Sequence, residues 1–132
     1  MFAITHHDGT ANVSVLKSGE EKYWSSLDDQ FDKELRKKQL GIRREEIKQF
    51  IDLLEDSEAI NKELNFDSPI DIDKDNIIMG GHSMGGMTTI ETSRQDTRIK
   101  ALFSFDPWLW CVLDEIQNEG YGVKQPQFHI VT

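Results

Sequence analysis

The stretch 81–85, with the sequence Gly-His-Ser-Met-Gly, constrains the fold of this chain more than any other feature. It matches the pattern G-x-S-x-G and follows a short apolar segment at 76–79, which we predict to be a strand. The residues after it, 86–93, can continue as a helix. A serine on such a sharp strand-to-helix turn is held at a strained backbone position with its hydroxyl exposed. Ser83 is therefore the candidate nucleophile.

The residues around Ser83 each have a predicted part in this turn. We expect Gly81 and Gly85 to be glycine because neighbouring segments of the chain pass too close for a side chain. His82, the variable residue of the pattern, is expected to support the turn. The N–H groups at the start of the following helix point at negative charge that develops beside the serine. The backbone N–H of Met84 is then the candidate oxyanion donor.

Other glycine-rich or acidic motifs fit the chain less well. A phosphate-binding P-loop needs a lysine after its last glycine, where this chain has Met87. A dinucleotide-binding fingerprint needs a glycine at the position of His82. The alternating aspartates of 71–75 begin like a calcium loop, but its sixth position is Asn76 and its twelfth is His82. We therefore expect no metal and no other cofactor.

A serine hydroxyl needs a base that takes its proton, and the base needs a third group that orients it. In enzymes with this turn, the order along the chain is serine, acid, histidine. Asp106 is the candidate acid, because it ends the strand after the predicted helix and neighbouring parallel strands place its carboxylate near Ser83. His129 is the only histidine after Asp106, and it falls inside a predicted strand. We therefore expect the catalytic histidine to lie beyond Thr132.

Strands alternate with helices along the chain, which predicts βαβ crossovers and a mostly parallel α/β sheet with flanking helices, as in α/β-hydrolases. An α/β-hydrolase sheet needs more than the three or four strands predicted here, and 37% hydrophobic against 30% charged residues is polar for a complete core. We expect residues 1–132 to be a single partial domain, the central part of such a fold, incomplete at both ends. The net charge of −9 argues against nucleic acid as a partner. The longest apolar run, 108–113, is too short to span a bilayer.

Local patterns predict the remaining strands. We expect strands at 2–5, 99–105 and 127–131, and a loop with one short strand at 11–22. Cys111 is the single cysteine, which excludes an internal disulfide, and its apolar surroundings predict a buried side chain.

The helical predictions concern the first half of the chain. A helical pattern begins at Tyr23 and includes an apolar face at 47–54. The charged residues at 33–39 and 43–46 are interpreted as solvated helix faces. A further short helix is expected at 56–64, with its first or second residue as the cap.

Several separate segments resemble the platelet-activating-factor acetylhydrolases, the plasma and type II intracellular enzymes. Residues 5–11 are similar to that family's E-H-x-D-x-S-A segment, and residues 35–46 match its L/I-R-x-x-Q-x-x-x-R-x-x-E spacing. Residues 81–86 match its G-H-S-F-G-G turn with methionine in place of phenylalanine, and residues 105–108 are similar to its L-D-A-W. Residues 126–130 resemble its strand P-L-F-F-I, with histidine in place of the second phenylalanine.

The resemblance implies that Ser83 is the nucleophile, Asp106 the triad acid and Met84 an oxyanion donor. It implies calcium-independent release of a short or oxidised sn-2 acyl group from a phospholipid, with at most peripheral contact with membranes or lipoproteins. The family's histidine and its other oxyanion residue have no counterpart here, so this chain alone is expected to be inactive. Two alternatives stay open. One is a polyesterase or cutinase-like hydrolase with the same turn, and the other is a truncated, inactive hydrolase acting at most as a binding module.

Overall fold

The computed structural model describes residues 1–23, 31–65, 68, 70–118 and 120–132. Among the helices of these ranges, none combines the length and the apolar character that crossing a bilayer requires. The elements follow the chain in the order β1 (Val13–Val15), β2 (Glu21–Tyr23), α1 (Lys33–Glu55), α2 (Ser57–Leu64), β3 (Ile77–His82), α3 (Met84–Gln95), β4 (Ile99–Phe105), a 3₁₀ turn (Trp110–Val112), α4 (Leu113–Ile116) and β5 (Gln127–Ile130).

Strands β3, β4 and β5 form one parallel sheet in that order. Helix α3 connects β3 to β4, and the 3₁₀ turn and α4 lie between β4 and β5. Parallel neighbours need such crossovers because a tight turn cannot join them. The register pairs His82 with Phe105 and Phe105 with Ile130, so the three strands end side by side at one edge. The predicted α/β class, a parallel sheet with flanking helices, is confirmed.

Helix α1 packs across one face of this sheet. Its N-cap is Asp32, whose carboxylate accepts a hydrogen bond of 3.0 Å from the Leu35 N–H. Two of its apolar side chains, Ile47 and Ile51, lie with Ile99 of β4 in a buried cluster, as the apolar pattern at 47–54 predicts. This packing fixes the side of the sheet on which α1 and α3 lie.

The opposite face of the sheet carries exposed apolar side chains. Successive residues of a strand point to opposite faces, so every second residue of β3, β4 and β5 belongs to this surface. Its large members are between 38% and 65% exposed: Ile78, Phe103, Phe105, Phe128 and Ile130. Parallel sheets are covered on both faces in α/β proteins. This face therefore has the apolar composition of a sheet that accepts a second layer.

Two predictions for the first part of the chain are wrong. Residues 2–5 do not form a strand, because they have no ladder pairing with any described strand. Phe2 instead packs its ring edge against Phe50 of α1, with centroids 5.3 Å apart. Tyr23 belongs to β2, opposite Val13 of β1 in an antiparallel pair, rather than to a helix. The described helix begins at Lys33, and residues 24–30 lie outside the described part of the chain.

The short helix predicted at 56–64 is confirmed as α2. Asp56 is its N-cap, and one carboxylate oxygen accepts hydrogen bonds from the N–H groups of Glu58 at 3.1 Å and Ala59 at 2.9 Å. A capping carboxylate satisfies N–H groups that have no partner within the helix.

The charged runs of α1 are not wholly solvated, which corrects their interpretation. Arg36 and Arg43 are only 5% and 8% exposed. Arg43 Nε donates to the fully buried carboxylate of Asp8 at 2.5 Å, and its Nη2 donates to the Thr10 hydroxyl at 2.6 Å. The partners come from a segment more than 30 residues earlier, so the local charge pattern cannot reveal them.

Candidate active site

Ser83 stands between the last residue of β3 and the first residue of α3, where the turn was predicted. Its φ of 54° and ψ of −120° lie outside the regions that side-chain-bearing residues favour. Its N–H donates to the Phe105 carbonyl at 2.9 Å, and its carbonyl accepts from the N–H groups of Met87 at 3.1 Å and Trp108 at 2.9 Å. None of these three bonds involves the hydroxyl, and the side chain makes no capping bond to α3. The backbone is thus fixed while the hydroxyl is available.

The glycines around Ser83 differ in how much space a side chain would have. A Cβ on Gly81 would lie 2.3 Å from the Gly85 carbonyl oxygen and 2.4 Å from its carbon, so this position excludes any side chain, as predicted. A Cβ on Gly85 meets no atom of the described residues within 4 Å, so the predicted close approach is wrong there. On the helix side of Ser83, the close approach is at Gly86, because its Cβ would lie 3.0 Å from Pro107 Cα. The tight contact lies one residue later than the motif suggests.

Asp106 follows the last residue of β4 and has a positive φ of 41°. Its N–H donates to the Ile130 carbonyl at 2.8 Å. Its carboxylate accepts one hydrogen bond at each oxygen, from the Thr132 N–H to Oδ1 at 2.7 Å and from the Thr132 hydroxyl to Oδ2 at 3.0 Å. These two bonds, with a smaller contribution from the charge of His82, hold the pKa of Asp106 below its usual value. The group is therefore ionised at neutral pH.

Ser83 and Asp106 lie at the same edge of the sheet. Each follows one member of the register pair His82 and Phe105, and neighbouring strands are only about 4.8 Å apart. The hydrogen bond from the Ser83 N–H to the Phe105 carbonyl joins the two strand ends directly. A serine–histidine–aspartate relay requires the Asp106 carboxylate to lie within about 10 Å of the Ser83 hydroxyl. That separation stays a prediction.

His129 lies within β5, as predicted. Its Nδ1 is 2.6 Å from the hydroxyl of Ser104 on β4, and its Nε2 is 2.8 Å from Oε1 of Gln127. Both ring nitrogens are therefore engaged along the sheet, and neither is bonded to Asp106 or Ser83.

Within the described part of the chain, the remaining histidines, His6, His7 and His82, make no hydrogen bond to Asp106. His6 and His7 both bind Glu46 of α1, through their Nδ1 atoms at 2.7 Å and 2.9 Å. His82 is exposed at the end of β3, and its charge reaches Asp106. Asp106 itself receives its hydrogen bonds within the described residues from Thr132 and not from a histidine.

Met84 is the first residue of α3, where a backbone N–H has no partner within the helix. Such an N–H is available to an oxyanion that forms next to Ser83. The Met84 side chain is buried with Met87 and Cys111, in a cluster completed by Leu40 and Val112. Cys111 is fully buried, as predicted, and burial raises the pKa of its thiol. The first turn of α3 is thus held in place by the packing of the Met84 and Met87 side chains in this buried cluster.

A buried arginine joins α1 to the segment after Asp106. The guanidinium carbon of Arg36 lies 5.2 Å from the ring centroid of Trp108, and Nη1 donates to Gln39 Oε1 at 3.0 Å. The same nitrogen lies 3.9 Å from Met84 Sδ. Cation–π contacts of this kind are stronger where both groups are desolvated. Arg36 therefore packs against both Met84, the candidate oxyanion donor, and Trp108 in the segment that follows Asp106.

Thr132, which the sequence did not single out, contacts the carboxylate of the candidate acid Asp106. It follows the end of β5 by two residues, at the carboxyl end of a parallel sheet, where functional side chains gather. The signal in the sequence was a polar residue just beyond the strand that neighbours β4, the strand before Asp106.

The fold and the local geometry define a parallel α/β protein with a serine on a strained strand-to-helix turn. Residues 2–132 match the family described as "Platelet-activating factor acetylhydrolase, isoform II", and the chain belongs to that family.

The chain is also similar to individual proteins called platelet-activating factor acetylhydrolase. It is 28% identical to the one from Bos taurus over 156 residues, and 30% identical to the one from Canis lupus familiaris over 146 residues. Each match covers 97% of this chain and 32% of the relative. The chain thus spans about a third of the length of these relatives.

Proposed function

We propose that this protein is a carboxylic ester hydrolase of the platelet-activating-factor acetylhydrolase type. It releases the short or oxidised sn-2 acyl group of a phospholipid such as a 1-alkyl-2-acetylglycerophosphocholine, without calcium. The supporting observation is the strained Ser83 turn at the same sheet edge as Asp106, in a chain that belongs to this family. The relatives' names supply the substrate class.

In the proposed reaction, the Ser83 oxygen attacks the ester carbonyl carbon while a histidine takes the hydroxyl proton. The carbonyl oxygen becomes an oxyanion that accepts a hydrogen bond from the Met84 N–H. The intermediate expels the lysophospholipid alcohol, which receives the proton from the histidine, and leaves an acyl group on Ser83. Water then attacks the acyl-enzyme while the histidine takes its proton, and the acid is released as the histidine returns the proton to the Ser83 oxygen. Asp106 orients the histidine and stabilises its cationic form throughout.

The base in this scheme is a histidine from outside the 132 residues. His6 and His7 are engaged by Glu46, and His129 by Ser104 and Gln127, which supports this assignment. Losing one member of a triad costs on the order of 10⁴ to 10⁶ in turnover. The 132-residue chain by itself is therefore expected to be a poor esterase.

The experiment compares Ser83→Ala and Asp106→Asn in the full-length protein on a 2-acetyl phospholipid, with EDTA present. Ser83→Ala should lower kcat by about 10⁶ and Asp106→Asn by about 10⁴. Ser93→Ala is the matched control, because Ser93 is a buried serine of α3, the helix that follows Ser83, and its hydroxyl finds no partner among the described residues. It should keep kcat within about twofold, since removing an unsatisfied buried hydroxyl costs little.

Two results would contradict the proposal. Unchanged hydrolysis in Ser83→Ala would remove Ser83 as the nucleophile. Cleavage of simple carboxylic esters with no cleavage of the 2-acetyl phospholipid would keep the serine mechanism but favour a polyesterase-like enzyme.

A further inference from the structure

We infer that Thr132 is the positioning residue of the triad acid: its backbone N–H and its hydroxyl hold the Asp106 carboxylate in the orientation that receives the catalytic histidine. The inference rests on the proposed function for its catalytic meaning. The contacts themselves, 2.7 Å to Oδ1 and 3.0 Å to Oδ2, engage both carboxylate oxygens from one residue. A two-point contact restricts rotation of the carboxylate, which a single hydrogen bond leaves free.

The arrangement leaves capacity for a histidine. Each carboxylate oxygen can accept about two hydrogen bonds, and Thr132 uses one at each oxygen of Asp106. A remaining lone pair can therefore accept the N–H of an imidazole, and its direction is set by the Thr132 contacts. Orientation of catalytic groups contributes strongly to rate, and a misplacement of 1 Å can cost about 10²-fold.

The pairing of β4 with β5 places Thr132 next to Asp106. Phe105 pairs with Ile130, and the Asp106 N–H donates to the Ile130 carbonyl at 2.8 Å, so the chain after β5 runs past the end of β4. One pair earlier, the buried Ser104 hydroxyl and His129 Nδ1 lie 2.6 Å apart and link the same two strands through their side chains. A shift of register by one residue would move Thr132 away from Asp106. The contact is thus built into the strand pairing.

The electrostatic effect agrees with this role. The two Thr132 hydrogen bonds are the largest causes that hold the pKa of Asp106 below its ordinary value. Hydrogen bonds to the charged form favour that form. Thr132 therefore keeps the acid ionised as well as oriented, which the stabilisation of a protonated histidine requires.

The test uses three variants of the full-length protein. Thr132→Val removes the hydroxyl with nearly unchanged shape, Thr132→Ser keeps it, and Val131→Thr is the control at the exposed neighbouring position. We expect Thr132→Val to lower kcat by about 10- to 100-fold with KM changed by less than about twofold. Thr132→Ser and Val131→Thr should stay within about twofold of the parent. Equal activity of Thr132→Val and the parent would overturn the inference.

A double-mutant cycle separates positioning from a general structural role. If Thr132 acts through Asp106, Thr132→Val should add little to the loss already caused by Asp106→Asn, because the group it orients is gone. An undiminished loss in the Asp106→Asn background would overturn the inference. Circular dichroism and thermal unfolding of each variant identify any that fail to fold, and Thr132→Ala, which also lacks the hydroxyl, then replaces Thr132→Val in the comparison with Thr132→Ser.

A measurement without turnover keeps this test independent of the proposed function. The Asp106 carboxyl can be titrated by ¹³C NMR, with its signal assigned by its disappearance in Asp106→Asn. We expect the pKa of Asp106 to rise in Thr132→Val and to stay near the parent value in Thr132→Ser. The same Asp106 titration in all three proteins would overturn the inference even if the enzyme hydrolyses phospholipids. The expected rise would support the inference even if no ester is cleaved.

Discussion

The backbone N–H of Trp108 lies 2.9 Å from the carbonyl oxygen of Ser83 and donates a hydrogen bond to it. The Ser83 N–H in turn donates to Phe105, so both backbone groups of the serine are bonded to residues on either side of Asp106. Ser83 and Asp106 also share an uncommon feature, a positive φ of 54° and 41°. Strained residues persist where the surrounding structure over-determines them. Ser83, the candidate nucleophile, and the segment that contains Asp106, the candidate acid, are therefore joined by backbone hydrogen bonds.

The strain at Ser83 predicts a gain in stability when it is relieved. Glycine accepts a positive φ without the steric cost that alanine or serine bears. We expect Ser83→Gly to be more stable than Ser83→Ala by about 1 kcal/mol, within the 1–3 kcal/mol typical of one strained residue. Urea unfolding of the two variants measures the difference. Both lack the hydroxyl, so equal or lower stability of Ser83→Gly would show that the observed φ is not a source of strain.

Two glycines of the turn form a matched pair. An alanine Cβ at Gly81 would lie 2.3 Å from the Gly85 carbonyl oxygen, which is backbone and cannot move aside, whereas at Gly85 it meets nothing described within 4 Å. We expect Gly81→Ala to lower the free energy of unfolding by about 3 kcal/mol or more, at the upper end of overpacking costs. Gly85→Ala should be neutral or stabilising by a few tenths of a kcal/mol, because alanine is the better helix former. Chemical denaturation would contradict the structure if the order were reversed.

The sequence predicts β3, the turn, α3 and β4 well because each is marked by local signals: apolar strands, close glycines and a serine between them. It cannot predict that Arg36 and Arg43 are buried, because their partners Trp108 and Asp8 are distant in sequence. A charge run is normally solvated. Thr132 was missed for the same reason, since its contact with Asp106 depends on the register of two strands.

The ion pair between Asp8 and Arg43 predicts a stability change that depends on pH. Burial alone would raise the pKa of Asp8, but the hydrogen bonds from Thr10 and Arg43 and the charge of Arg43 together lower it. A lowered folded pKa means that the stabilisation is present above the unfolded value of about 3.9 and is lost as the pH falls through the folded value. We expect Asp8→Asn to cost about 3 kcal/mol at pH 7, because it leaves the Arg43 charge buried without its partner.

Equilibrium unfolding of Asp8→Asn and the parent between pH 7 and pH 2 measures this. The difference between the two proteins should shrink towards the acid end, where Asp8 of the parent is protonated as well. Arg43→Met combined with Asp8→Asn should recover part of the loss, since both charges are then removed. A difference that stays constant down to pH 2 would contradict an ionised Asp8.

The pair of Ser104 and His129 predicts how the protein responds when the histidine of β5 is lost. His129→Phe leaves the fully buried Ser104 hydroxyl without its partner, which costs about 1–3 kcal/mol. The double variant Ser104→Ala with His129→Phe should recover most of that stability, because no buried hydroxyl remains unpaired. In the full-length protein, His129→Phe should lower kcat by less than about tenfold, whereas loss of a triad base costs on the order of 10⁶. A fall of that larger size in a folded His129→Phe protein would make His129 the base and would reject the assignment of a histidine outside these residues.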